Sequence, residues 1–175
     1  MKLISIANYI SVFPICLYYI ISYLILVDIK EIKNKLEYPL LLLGLLFSSQ
    51  LVKFIKSIDF GGDFIYRPKG AEYCDYLSRN KKAKIRGFPS GHMSSISLFA
   101  TFMILLRYRK YKNIKSYIKN EYMYIVINLL LVIATAWARY YKKCHTLLQI
   151  GCGTILGILL GYIFFVIYEE INRYL

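Results

Sequence analysis

The sequence predicts an all-α protein, a polytopic transmembrane helix bundle of about five spans. Of its 175 residues, 58% are hydrophobic, and they gather into continuous runs. A helical run needs about 20 residues to cross ~30 Å of hydrocarbon, and runs of this size recur along the chain. Their continuity argues against a closed barrel, whose strands alternate apolar and polar residues over ~10 positions.

The first span covers Leu3 to Val27. Only Lys2 carries charge ahead of it and no small-residue cleavage site follows, so it is expected to be a retained helix, kinked at Pro14. A charged link, Asp28 to Glu37, leads to a second span from about Pro39 to Ile58. Residues 59–90 are the one long polar stretch, rich in charge, glycine and proline, and functional groups concentrate in such loops. The third span begins near Gly91 and ends by Leu106, the fourth covers Tyr122 to Ala138, and the fifth Thr146 to Tyr168. In the fifth, Gly153, Gly157 and Gly161 fall on one face and predict close approach of another helix. No internal repeat divides the chain, which reads as one domain, 1–175, with its motifs within about residues 50–160.

Two helices separate the loop at 59–90 from the loop around 139–145, so both belong on one side of the membrane. The link from Arg107 to Lys119 lies on the other side with Lys30, Lys33 and Lys35, and carries six Lys/Arg against no acid. That bias predicts the cytoplasm for the link and a lumenal or extracellular face for the polar loops. The net charge is +13, from 23 Lys+Arg against 10 Asp+Glu. Because these residues sit between hydrophobic spans, they suit anionic headgroups, phosphate ligands and topology, and argue against nucleic acid as a partner. Cys16, Cys74, Cys144 and Cys152 match no zinc spacing. Cys74 and Cys144 share a side and could pair if it is oxidising, but free thiols are the favoured expectation.

Three clusters carry chemistry: Arg67-Pro68, preceded by Lys53 and Lys56; Pro89-Ser90-Gly91-His92; and Arg139, His145 and Gln149. A transferring phosphoryl group spreads its charge over three oxygens and needs cations and N–H donors around it. Arg67 and Arg139 each present a planar fork. Ser90 and Gly91 open a helix, whose N–H groups and dipole favour an anion. One histidine can attack phosphorus while the other protonates the leaving oxygen, and the chain contains only two. Taken singly, each residue has an ordinary structural reading: an interfacial histidine, a snorkelling arginine, a glutamine bonded to a neighbouring helix.

Together these residues resemble the type 2 phosphatidic acid phosphatase family, relatives of the vanadium haloperoxidases, whose pattern runs K-x6-R-P, P-S-G-H, S-R-x5-H-x3-D. The second element is intact at Pro89 to His92, and the third reads Ala138-Arg139, five residues, His145, three residues, Gln149. The resemblance implies that His145 is the nucleophile forming a phosphohistidine and that His92 is the general acid. Arg67, Arg139, Ser90 and the Gly91 N–H would bind phosphoryl oxygens, with no metal or other cofactor. Three positions depart from the pattern. Ala138 stands for Ser and Gln149 for Asp. Phe60 occupies the lysine position, which leaves Lys53, slightly favoured, or Lys56 to serve if residues 57–66 form an extra loop. The H-x-x-x-Q stretch looks like the version in dolichyl-diphosphatase and glucose-6-phosphatase members.

The implied function is hydrolysis of a lipid phosphate or an isoprenoid or lipid pyrophosphate within the bilayer. Lys81, Lys82, Lys84 and Arg86 are expected to hold a second phosphate. Alternatives are a non-catalytic protein of the same fold that binds anionic lipid or a partner, and phosphoryl transfer to another acceptor.

Overall fold

A computed structural model describes residues 2–27, 36–71, 74, 86–111 and 113–174. Five long helices account for most of them: α1 (Lys2–Val27), α2 (Glu37–Ser57), α3 (Gly91–Tyr108), α4 (Ile114–Tyr141) and α5 (Leu147–Tyr174). Three of these, α2, α4 and α5, are long and apolar enough to cross a membrane. Helix α1 continues through Pro14. Their outward faces carry exposed large apolar residues such as Phe47, Leu130, Ile133, Ile155 and Tyr162, surface that suits contact with lipid tails.

Helix α3 is the hub. Its residues from Met93 to Leu98 are buried without a break, so no face of it meets solvent or lipid along this stretch. Hence it tolerates serines that a lipid-facing helix would not. The Ser94 hydroxyl lies 2.7 Å from that of Ser48 in α2, and Tyr18 of α1 reaches Ser95 at 3.3 Å while donating to the Leu45 carbonyl at 2.9 Å. The core between these helices is built from Leu41, Leu45, Met93, Ile96, Leu98 and Phe102.

The most extensive contact is between α3 and α5. Gly153, Gly157 and Gly161 lie against the backbone carbonyls of Ser90, Ser94 and Leu98 respectively, so closely that a Cβ at any of them would collide with α3. The four-residue glycine repeat thus sets the distance between these two helices, as its spacing predicts.

Helix α4 starts earlier than its apolar pattern suggests. Asn113 caps it, accepting from the Ser116 N–H at 2.8 Å, and the backbone departs from helical geometry at Glu121 (φ −118°, ψ 17°), next to the expected start at Tyr122. The Arg107 to Lys119 segment is therefore partly helix, and its arginines are engaged. Arg107 pairs with Glu121 at 3.2 Å and Arg109 with Glu169 at 3.1 Å. Lys30, Lys33 and Lys35 lie outside the described residues.

After α2 the chain makes two positive-φ glycine turns, Gly61 and Gly62, and a single 3₁₀ turn, Asp63–Ile65. These residues form a loop between α2 and Arg67, in the 57–66 stretch where an extra loop is expected. Tyr66 then bridges to Arg86, and the Gly87 N–H donates to the Ile65 carbonyl at 2.8 Å, which returns the chain to the start of α3 through a cis Phe88–Pro89 bond.

Candidate functional site

The C-terminal ends of α2 and α4 and the N-terminal starts of α3 and α5 meet at one end of the bundle, which brings the three motif clusters together. His145 closes the α4–α5 turn and is buried, as are Arg139, Gln149 and Ser90. His92, one residue into α3, is half-buried, as is Arg67. The charges of Arg139, Arg67 and Lys56 act on both imidazoles, and His92 acts on His145.

Gln149 is the hinge of the arrangement. Its Nε2 donates to the carbonyls of Phe64 at 2.8 Å and Tyr66 at 2.7 Å. Carbonyl oxygens only accept, so the amide nitrogen must face them and Oε1 must face the other way. There Oε1 lies 3.2 Å from His145 Nδ1 and accepts from the Thr146 N–H at 3.3 Å. Nδ1 must therefore carry the proton, which leaves the lone pair of neutral His145 on Nε2. Arg139 Nη2 sits 3.4 Å from that Nε2 and donates to the Cys74 carbonyl at 2.9 Å.

The same glutamine belongs to a capping box. The Gln149 N–H donates to Thr146 Oγ1 at 3.2 Å while its side chain takes the Thr146 N–H, so T-x-x-Q starts α5 as it orients His145. The Gln149 carbonyl also accepts from the Ser90 N–H at 3.1 Å, tying the start of α5 to that of α3. Gly87 fits beneath it: a Cβ there would collide with the Gln149 amide.

At the start of α3, Ser90 occupies the N-cap position, yet its side chain makes no capping bond and its buried hydroxyl has no hydrogen-bond partner among the described residues. A buried hydroxyl left in this state costs stability unless something else binds it. The first N–H groups of α3 also lack partners within the helix, as at any helix start. Val52 of α2 packs beside Gly91.

That contact shows which face of α2 turns toward the start of α3. Lys56 is one turn beyond Val52 and faces the site, half-buried, with its charge acting on both histidines. Lys53, the favoured expectation, is exposed and lies about 100° round the helix from Val52. Two expectations are corrected. Cys74 and Cys144 are not free thiols but form a disulfide (Cα–Cα 5.4 Å), whereas Cys16 and Cys152 are free. Arg86, expected at a second phosphate, instead donates to the carbonyls of Lys56, Ser57 and Ile58 at 2.7–3.2 Å, capping the end of α2, with Asp59 3.8 Å away. Lys81, Lys82 and Lys84 lie outside the described residues.

The electrostatics follow from this packing. Burial, then the cations Arg139, Arg67 and Lys56, then His92, hold the His145 imidazole well below its ordinary range. An imidazole kept neutral, with the proton on Nδ1, carries its lone pair on Nε2.

The family model for the PAP2 superfamily matches residues 38–173, which takes in all three clusters. The chain belongs to the PAP2 superfamily. Within this superfamily it is similar to a curated relative, dolichyldiphosphatase 1 of Dictyostelium discoideum, at 25% identity over 111 residues, which cover 63% of this chain. The chain spans about half the length of that relative (48%). No solved structure matches it. In this PAP2 chain Ala138, where the motif has Ser, is fully buried.

Proposed function

We propose that this protein is an integral membrane phosphatase that hydrolyses a lipid phosphate, or an isoprenoid or lipid diphosphate, through a phosphohistidine on His145. The observation that carries the reading is the Gln149–His145–Arg139 chain, which leaves Nε2 as the lone-pair atom beside a guanidinium. In the first step Nε2 attacks phosphorus, the P–O bond to the leaving group breaks, and His92 supplies the proton to the departing oxygen. In the second, His92 takes a proton from water, whose oxygen attacks the phosphoimidazole and releases inorganic phosphate and free His145. Arg67, Arg139 and Lys56, with Ser90 and the first N–H groups of α3, bind the phosphoryl oxygens and supply the positive charge that a divalent cation provides in other phosphatases.

A tail-bearing substrate suits a site at the end of a bundle whose sides are apolar. The diphosphate is favoured among lipid substrates because the curated relative is named for dolichyl diphosphate and the chain shares the H-x-x-x-Q form. The Cys74–Cys144 disulfide supports placing this end in an oxidising, lumenal or extracellular compartment.

Phosphate release should be measured with purified protein over phosphatidate, lysophosphatidate, phosphatidylglycerophosphate and prenyl diphosphates. Wild type is expected to release phosphate from at least one, and His145→Ala from none while remaining folded. Equal release by the two proteins would refute the mechanism. Binding of these lipids without turnover across pH 5 to 8 would favour a non-catalytic member of the fold.

A further inference from the structure

A cavity of about 770 Å³ opens at the site end of the bundle, and His145 forms part of its wall. Around it stand Lys69, Tyr140, Lys143, Leu147 and Leu148. The motif residues account for one phosphoryl group, but they do not account for the two lysines, which are exposed on segments distant in sequence.

Lys143 is the informative one. Its φ is +53°, the left-handed region that residues other than Gly, Asn and Asp seldom enter. It is the sole such non-glycine residue among those described. A glycine would fill this turn without strain, since the turn itself is made by backbone bonds, the Lys143 N–H to the Tyr140 carbonyl at 2.9 Å and the Cys144 N–H to the Arg139 carbonyl at 3.0 Å. A side chain held in such a conformation beside a candidate active site points to a role for the side chain itself. Its stem runs along Gly70, whose φ of +82° turns the chain directly after Lys69, and the Cys74–Cys144 disulfide joins the two segments. The two ammonium-bearing residues are thereby kept at one cavity.

We infer that Lys69 and Lys143 form a clamp for the second phosphate of a diphosphate substrate, with Leu147 and Leu148 beside it receiving the start of the lipid chain. The assignment rests on the phosphatase reading and adds the residues that select a lipid diphosphate over a lipid monophosphate. The terminal phosphate lies against His145 and the arginines, the second phosphate stays with the lipid at the rim, and hydrolysis of the P–O–P bridge leaves a lipid monophosphate there.

The test compares farnesyl diphosphate with farnesyl monophosphate in detergent for wild type, Lys143→Gly, Lys69→Gln and the double variant. In Lys143→Gly the ratio of kcat/KM for diphosphate to that for monophosphate should fall about tenfold, as for loss of one charged hydrogen bond, and further in the double variant. Thermal stability should not fall, because glycine accepts this φ. A proportional loss on both substrates, or no loss on either, overturns the clamp while leaving the phosphatase reading intact. If wild type turns over neither farnesyl substrate faster than His145→Ala, the clamp is overturned, and the phosphatase reading falls with it only if phosphatidate, lysophosphatidate and phosphatidylglycerophosphate also release no phosphate.

Discussion

The side-chain oxygen of Gln149 lies 3.2 Å from Nδ1 of His145, and the nitrogen of the same amide is fixed by the Phe64 and Tyr66 carbonyls. One side chain thus sets the tautomer of the candidate nucleophile and anchors the loop that leads to Arg67. A carboxylate at this position could do the first but would turn a negative oxygen toward two carbonyls.

Gln149→Leu is expected to lower kcat by about 10–100-fold, the usual effect of losing a partner that orients a histidine. Gln149→Glu, although it moves the position toward the motif's acid, should destabilise the protein by about 1–3 kcal/mol, because the Phe64 and Tyr66 carbonyls lose their donor and face a carboxylate oxygen instead. Thermal unfolding and steady-state rates on the two variants check both outcomes. A Glu variant more stable than wild type would contradict this account of the amide.

The pH dependence follows from the lowered His145 imidazole. The neutral form attacks, and burial with Arg139, Arg67 and Lys56 opposes protonation. As pH falls through the ordinary histidine range near ~6.5, His145 should stay neutral, so the acid limb of kcat/KM set by this group should lie below that value. Arg139→Gln removes the leading cation and should move that limb upward. A pH–rate profile of the two proteins measures it.

Lys56 and Lys53 separate cleanly by mutation. Lys56→Ala should cost about 10²-fold in kcat/KM, as for loss of one donor to a charged transition state. Lys53→Ala, on the outer face, should stay within a few-fold of wild type. The reverse order would place the other face of α2 toward the site.

The Cys74–Cys144 bridge joins residues 70 apart in sequence, beside the carbonyl that holds Arg139 and next to His145. Cys74→Ser with Cys144→Ser is expected to lower stability by about 2–4 kcal/mol and to reduce turnover, since Arg139 loses its fixed partner. Denaturant unfolding with and without reductant, alongside activity, checks this. Unaltered turnover after complete reduction would remove the bridge from any part in the site.

Much of this was legible in the chain because its signals are local. The five apolar runs, the glycine repeat of α5 and the pairing of each histidine with an arginine or helix start all lie within short windows. The choice of lysine is not legible because both Lys53 and Lys56 end the same helix, and only the packing of Val52 against Gly91 shows which face of α2 turns inward. The disulfide was underrated because spacing along the chain does not reveal which loops meet. Two carbonyl oxygens, from Phe64 and Tyr66, have no side-chain signature at all. The T-x-x-Q capping box at Thr146 to Gln149 was present in the letters and could have explained why an amide suits this position. The early start of α4 escaped because its first turns, from Ile114 to the break at Glu121, are polar and lack the apolar run that marks the rest.

The most direct test is to trap the covalent intermediate. Rapid quenching at alkaline pH, where a phosphoimidazole survives, during turnover of a substrate labelled in its terminal phosphate should leave label on His145, found by peptide mapping. Turnover that leaves label on another residue, or a labelled and active His145→Ala protein, would contradict the assignment of Nε2 as the attacking atom.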